Sequence, residues 1–218
     1  EEFSKLTSDD PLTIENIRHR ERAGLHFKGP GFGRGRKFNS TKIDIGAEAT
    51  EGDKLPIQAL SRVDRLTELV YITGISRVLD SNTEIPIDEG HLAEPPRREN
   101  FGIGRYNYGE GIFIDISPDW LMEAARKRES SIGEKSNMKH SFQPGRMPSN
   151  VVRQIPCLEK DEKNRNPFTI LHSLSHLLIK KACEESGYSL GSIRERLYFD
   201  AEGGEVKYAS ILLYTSGP

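Results

Sequence analysis

The sequence predicts an α+β fold, with a small mixed sheet, a central apolar helix packed on it and long polar loops. The first observation is the stretch "YGEGIFIDI", in which isoleucines alternate with other residues from Ile112 to Ile116 as in a β-strand. The second is the run over residues 166–187, which is apolar around most of a helical turn and therefore predicts a central helix. The third is the pair of runs "RLYFD" and "KYASILLYT", which bracket the turn-like "AEGGEV" and predict strands beside "GIFIDI".

The elements before "GIFIDI" follow from local signals. "DDPLTIENIRHRER" predicts a helix with Asp10 as N-cap and Pro11 at its first position. The basic stretch Arg18–Lys42 contains "GPGFGRGRKF", whose glycines predict a flexible loop. The apolar spacing in "LPIQALSRVDRLTELVYITG" predicts a helix that ends at Gly74. "ISRVLD" is predicted to be a short strand, and the proline-broken residues 80–100 a loop.

The helices after "GIFIDI" have recognisable ends. Ser117 is predicted to cap a helix that has Pro118 at its first position. The polar residues 130–150 after this helix are predicted to be a loop. Asn166 is predicted to cap the apolar helix, which Gly187 ends.

A further short helix is expected in "LGSIRERL". Ser192 and Glu195 have the spacing of a capping box, which satisfies backbone N–H groups at a helix start.

Bulk properties limit the class of protein. The 218 residues carry a net charge of −2 and are 29% charged, so the overall charge does not indicate nucleic-acid binding, although a global sum can hide a local basic patch. We divide the chain into a polar and basic N-terminal segment, residues 1–55, and an α+β domain, residues 56–218.

The sequence contains neither a bilayer-spanning apolar run nor a signal peptide, and it has two cysteines, so we expect a reduced, cytoplasmic protein. Both ends are expected to be cut from a longer chain.

Two histidines four residues apart raise the possibility of a metal site. His172 and His176 lie on one face of the predicted helix, as zinc-binding pairs do. The metalloprotease pattern needs glutamate after the first histidine, where this chain has Ser173. Glu110, set between two glycines at a strand start, is the candidate third group. The pair is therefore either part of a metal-dependent hydrolase or nuclease with Glu110, or two hydrogen-bonded polar residues in a core.

The basic stretch is the feature that indicates a partner. Lysine and arginine with interleaved phenylalanine suit a nucleic-acid strand, because cations contact phosphates and aromatic rings stack on bases. The alternatives are a solvated loop or a scaffold that binds protein only. The predicted DNA-binding residues are Arg18, Arg20, Arg22, Lys28, Arg34, Arg36 and Lys37.

Four stretches resemble a known family. "DRLTELVYITGISRV", "YNYGEGIFIDI", "ILHSLSHLLIKKACEESGYSLGSIRERLY" and "ASILLYTSGP" are similar to segments of the DrmB family, from about residue 60 to the end with gaps. The third also resembles the helicase-associated C-terminal region of MrfA-type helicases. Arg196, in the "ERLY" part, joins Glu110, His172 and His176 as motif residues of unknown role.

The resemblance implies a function that composition alone does not show. DrmB proteins belong to DISARM, a bacterial antiphage defence system. They have no assigned catalysis of their own and act with a superfamily 2 helicase in a DNA-binding complex. It implies an accessory, non-catalytic subunit whose partners are that helicase and DNA, with no membrane. In the family, cysteines suited to zinc follow the "YT" strand, whereas this chain stops at Pro218. The resemblance therefore implies no cofactor within these residues, and zinc only in a missing C-terminal part.

Overall fold

A computed structural model describes residues 13–26, 38–45, 56–71, 74–76, 84–86, 104–134 and 155–215. Its helices are α1 (Ile14–His26), α2 (Pro118–Glu134), the one-turn α3 (Cys157–Lys160) and α4 (Arg165–Ser186), with a 3-10 turn at Glu162–Asn164 before α4. Its strands are β1 (Phe38–Ile43), β2 (Ile57–Tyr71), β3 (Gly74–Ser76), β4 (Glu84–Pro86), β5 (Gly104–Ile116), β6 (Ile193–Glu202) and β7 (Glu205–Thr215).

The larger sheet has five strands in the order β1-β2-β5-β7-β6, and β3 pairs with β4 separately. The α+β class is confirmed. Every pair in the described part of the sheet is antiparallel, so the predicted mixed sheet is corrected to an antiparallel one. The predicted strands "GIFIDI", "RLYFD" and "KYASILLYT" are confirmed as parts of β5, β6 and β7.

Both faces of the sheet are covered by helices. On one face, Ile114 and Ile211 belong to a core that includes Leu171 of α4 and Leu121 of α2. On the other face, residues such as Phe113 and Leu212 pack with Leu25 of α1. A strand buried on both faces reads as a continuous apolar run, which is why "ASILLY" in β7 shows little alternation.

The predicted helix from residue 57 to Gly74 is wrong, because this segment is β2. Ala59, Ser61 and Val63 are buried in alternate positions, which is the period of a strand. An irregularity in the pairing with β5 lies between Val63 and Leu66 and shifts the phase of the strand. The buried positions 59 and 61 carry the small residues Ala and Ser, and the strand shifts phase after Val63. The large apolar residues therefore recur about every third position, as they would in a helix.

The predicted short helix in "LGSIRERL" is also wrong. From Ile193 onward this segment is β6, which pairs with β7 from Ile193↔Thr215 to Glu202↔Glu205. Ser192 lies in a turn, where its N–H donates to the carbonyl of Ser189 at 2.9 Å. The capping box therefore does not form.

The basic stretch Arg18–Lys42 is not a loop throughout. Its first part belongs to α1 and its last part to β1, while residues 27–37 lie outside the described residues. Thr13 caps α1 by accepting a hydrogen bond from the N–H of Asn16 at 3.1 Å. The predicted caps Asp10 and Pro11 lie outside the described residues.

The other predicted ends have mixed outcomes. Ser117 caps α2 as predicted, because its hydroxyl accepts from the N–H of Trp120 at 3.3 Å. Gly187 ends α4 as predicted, with a left-handed φ of 75°. Asn166 is not the cap of α4 but lies inside it, and its side-chain amide donates to the carbonyl of Ala125 in α2 at 3.1 Å.

The two predicted loops and the predicted strand "ISRVLD" each contain some regular structure. β4 lies inside 80–100, β3 covers the start of "ISRVLD", and α2 extends to Glu134 within 130–150. The rest of these three segments lies outside the described residues.

α1 and β1 precede the predicted boundary at residues 55 and 56, but β1 is a strand of the larger sheet and α1 contacts β2, β5 and β6. The division into 1–55 and 56–218 stays a prediction. Among the helices that the structure describes, none combines the length and the apolar character needed to cross a membrane.

Candidate functional site

The two histidines of α4 meet a glutamate of β6. His172 and His176 are one helical turn apart, so both rings project from the same side of α4. Nε2 of His172 lies 3.0 Å from Oε1 of Glu195 and 2.9 Å from Nε2 of His176. Nε2 of His176 lies 3.6 Å from the same carboxylate oxygen. Three donor atoms from two elements therefore converge on one point.

Ser175 positions the carboxylate of Glu195. Its hydroxyl, which is buried, lies within hydrogen-bond distance of Oε2 of Glu195 and leaves Oε1 to the histidines. Burial disfavours the charged carboxylate, but the hydrogen bonds with His172 and Ser175 and the electrostatic interactions with the two histidines outweigh it. The pKa of Glu195 is therefore lowered from its ordinary value, and the group is ionised at neutral pH.

The cluster adjoins a cavity of about 240 Å³ beside β6, which is an edge strand of the sheet as described. His172 and Glu195 line it from one face of the sheet, and Arg196 lines it as well. The side chain of His176 is 64% exposed, whereas that of Glu195 is 22% exposed. The carboxylate of Glu195 is therefore held on the inner side of the site by buried Ser175, and the site is open to solvent on the side of His176.

Two kinds of chemistry are available to this cluster. Two imidazole nitrogens and one carboxylate oxygen form a ligand set for a metal ion, and all three atoms lie within 4.8 Å of one another. The same groups could instead share protons through hydrogen bonds. The sequence alternative of a purely buried pair does not describe His176, which is exposed.

The carboxylate that reaches the histidines is Glu195, not the predicted Glu110. Glu110 is exposed, and its backbone N–H donates to the hydroxyl of Thr215 at 3.4 Å. Sequence reasoning missed Glu195 because it placed this residue in a capping box. A strand reading of "IRERLYF" was the available signal, since Ile193, Glu195 and Leu197 would then share one face.

Arg196, the fourth motif residue, points to the opposite face of β6 from Glu195. Its Nη1 donates to Oε1 of Glu21 in α1 at 2.8 Å, and the hydroxyl of Tyr198 donates to the other oxygen of Glu21 at 3.3 Å. Burial lowers the pKa of Arg196, but Glu21 and other groups outweigh it and raise that pKa. Arg196 therefore holds α1 against the edge of the sheet.

The predicted DNA-binding residues are in different environments. Arg22 is buried, and its Nη2 donates to Oδ1 of Asp115 at 2.9 Å. Arg18 and Arg20 are half-buried on α1. The remaining four residues, Lys28, Arg34, Arg36 and Lys37, lie outside the described residues.

Comparison with known proteins supports the family resemblance. No protein-family model matches the chain. The chain is 27% identical over 188 residues to the DISARM protein DrmB of Bacillus paralicheniformis, in a match that covers 83% of this chain. The match covers 30% of that relative, so the chain spans less than a third of its length. The resemblance to DrmB is thereby confirmed, while the resemblance to MrfA-type helicases stays a prediction.

Proposed function

We propose that this chain is part of a DrmB-like component of a DISARM antiphage defence system. In this proposal it works in the cytoplasm as a non-catalytic subunit that associates with DNA and with a superfamily 2 helicase. The observation that carries the proposal is the similarity to the DISARM protein DrmB across 83% of the chain.

The positions of the family-like stretches support the proposal. They fall in β2, β5, β6 and β7, which are strands of one sheet, and in α4, which packs on that sheet. α4 and β7 both contribute to the main apolar core, for example through Leu171 and Ile211. Similarity in elements that form the core is expected when two chains share a fold.

The DNA contact in this proposal is a phosphate contact. Arg22 is already paired with Asp115 in the protein interior, so the positive charge offered to DNA comes mainly from other residues. These are Arg18 and Arg20 on α1 and the four basic residues Lys28, Arg34, Arg36 and Lys37. Such contacts neutralise the backbone without reading bases, so the binding is independent of sequence.

The partner is tested by purifying the tagged full-length parent protein from its native host, with and without nuclease treatment. A superfamily 2 helicase that stays bound after nuclease treatment supports a direct protein contact. A helicase that is lost after nuclease treatment indicates a bridge of DNA, and absence from both samples contradicts the helicase partnership.

The DNA contact is tested by changing Arg34, Arg36 and Lys37 to alanine in the complex with the helicase. We expect weaker binding to every DNA sequence, and a salt dependence whose slope falls by about one unit per lost phosphate contact.

A matched control removes three positive charges elsewhere, at Arg62, Lys127 and Lys181. Their side chains are 65%, 77% and 66% exposed. This control should keep the wild-type slope. Equal losses in the two triple variants would assign the effect to net charge, and an unchanged affinity in the first would favour a scaffold that binds only protein.

A metal-dependent hydrolase or nuclease is the second candidate, and the convergence of His172, His176 and Glu195 favours it. It predicts cleavage of single- or double-stranded DNA by the purified protein with zinc or manganese added. His176→Ala should abolish that cleavage, and cleavage that survives this change would come from a contaminant.

A further inference from the structure

We propose that His172, His176 and Glu195 bind one divalent transition-metal ion, and that zinc is the ion their donor atoms suit best. Two imidazole nitrogens with one carboxylate oxygen are ligands of zinc and its neighbours in the first transition series. Magnesium and calcium prefer oxygen ligands alone, so a set with two nitrogens selects against them. The inference does not depend on the role in DISARM proposed above.

The distances within the cluster match a metal site. The three donor atoms are separated by 2.9, 3.0 and 3.6 Å. Tetrahedral ligands at about 2.0–2.1 Å from zinc lie roughly 3.3 Å from one another, which is close to the mean of these three separations. The point equidistant from the three atoms is roughly 1.9 Å from each, so a small displacement out of their plane reaches the usual bond length of about 2.0–2.1 Å.

The contacts of His172 are better satisfied by a cation than by a proton. Its Nε2 faces both Nε2 of His176 and Oε1 of Glu195. A neutral ring nitrogen carries either a proton or a lone pair. If Nε2 of His172 carries the proton, this single hydrogen must be shared between Glu195 and His176. If Nε2 carries the lone pair instead, that lone pair faces the negatively charged carboxylate of Glu195. A cation at the centre accepts a lone pair from all three atoms at once.

The groups around the cluster hold the ligands in place. The two histidines are on one turn of the 22-residue helix α4, which packs on the sheet through buried residues such as Leu171 and Ile179. Glu195 is fixed by the pairing of β6 with β7 and by the hydrogen bond of its Oε2 with Ser175. Such second contacts orient ligands and raise metal affinity.

The site leaves one coordination position for a molecule other than the protein. Three protein ligands and an open fourth position are typical of zinc sites that bind water or a substrate. His176 is well exposed, so solvent reaches the centre of the cluster. The ligand that we expect at the fourth position is therefore water.

The test uses the 218-residue chain without an affinity tag, first treated with a chelator and then titrated with zinc in a calorimeter. We expect one ion per chain and no competition from magnesium or calcium in excess. Cobalt added in place of zinc should give the visible absorption of a tetrahedral site, because its spectrum reports ligand geometry directly.

Four variants assign the ligands. His176→Ala and Glu195→Gln each remove one donor and should weaken zinc binding by more than about 100-fold. Ser175→Ala leaves the donors but removes the group that orients Glu195, and should weaken binding about 10–100-fold. Glu110→Gln removes the same charge as Glu195→Gln at an exposed position that has no contact with the histidines in the described structure, and should bind zinc normally.

Circular dichroism of each variant without metal separates loss of a ligand from loss of the fold. A wild-type chain that takes up no stoichiometric zinc, cobalt or copper would overturn the proposal and leave a proton-sharing cluster. Zinc binding that persists in both His176→Ala and Glu195→Gln would also overturn it, because the ion would then be held elsewhere.

Discussion

Arg22 of α1 and Asp115 of β5 form a buried ion pair, in which Nη2 lies 2.9 Å from Oδ1 and 3.1 Å from Oδ2. The two side chains are 7% and 2% exposed. The hydroxyl of Ser210 on β7 accepts a hydrogen bond from Nε of Arg22 at 2.8 Å and donates to Asp115 at 2.5 Å. The pair and Ser210 therefore hold α1, which precedes residue 56, against β5, the central strand of the sheet, and its neighbour β7.

The first prediction concerns this pair. Arg22→Ala should destabilise the fold by about 3–5 kcal/mol, because it leaves a buried carboxylate without its counter-ion. Arg62→Ala is the control: Arg62 pairs with Asp64 at 2.6 Å but is 65% exposed, so its loss should cost less than about 1 kcal/mol. The measurement is the free energy of unfolding in urea.

A charge-free variant keeps this prediction testable if Arg22→Ala does not fold. The double variant Arg22→Met with Asp115→Asn removes both charges and should be more stable than Arg22→Ala alone. Equal stabilities of Arg22→Ala and Arg62→Ala would show that the ion pair does not hold α1 on the sheet.

The second prediction concerns Gly111, where β5 and β7 approach closely. A Cβ atom at this position would clash with the carbonyl oxygen of Leu213 and lie 2.9 Å from Cβ of Tyr214. Gly111→Ala should therefore force the strands apart and lower the free energy of unfolding by about 1–3 kcal/mol. Gly191→Ala, where a Cβ meets nothing within 4 Å, should change it little. Equal effects in thermal unfolding would contradict the close approach.

The third prediction is a pH dependence that belongs to Glu195. Its pKa is lowered in the folded state, so its ionised form stabilises the fold above the unfolded-state pKa, and this stabilisation is lost as pH falls through the folded pKa. In metal-free protein, Glu195→Gln should be less stable than wild type by about 1.5–3 kcal/mol at pH 7, which is the usual contribution of a hydrogen bond to a charged group.

The difference between Glu195→Gln and wild type should disappear in acid, below the ordinary carboxyl pKa of about 4.3. Urea unfolding of both proteins from neutral to acidic pH measures this difference. Glu184→Gln, at an exposed position of α4, is the control. A difference that stays constant with pH would show that the charge of Glu195 does not stabilise the fold.

The fourth prediction is that Cys157 is chemically inert in the folded protein. Burial raises the pKa of its thiol to about 11, and the thiolate is the form that reacts. Labelling by iodoacetamide at pH 8 should be more than about 100-fold slower than for a free cysteine. Mass spectrometry of the labelled peptide measures this rate, and unfolding in urea should restore it. Fast labelling of the native chain would contradict the packing of α3 against the sheet.

The sequence by itself determined the elements whose signals are local. The ends of α2 and α4 at Ser117 and Gly187 follow from a hydroxyl cap and a left-handed glycine, which act within a few residues. The continuous apolar run "ASILLY" in the sequence indicates a strand that is buried on both faces, as β7 is. The spacing of His172 and His176 likewise places both rings on one side of a helix, because residues four apart are neighbours on a helical surface.

Only the tertiary structure decided β2, β6 and the carboxylate of the candidate site. Both segments have spacings that also fit a helix, and pairing with strands distant in sequence, such as Leu60↔Ile114 and Leu197↔Ile211, overrides that local preference. Once β6 is a strand, Glu195 faces α4 and meets the histidines, whereas Glu110 remains exposed elsewhere. Which acid reaches a helix is determined by strand register, and register depends on long-range packing that no local pattern contains.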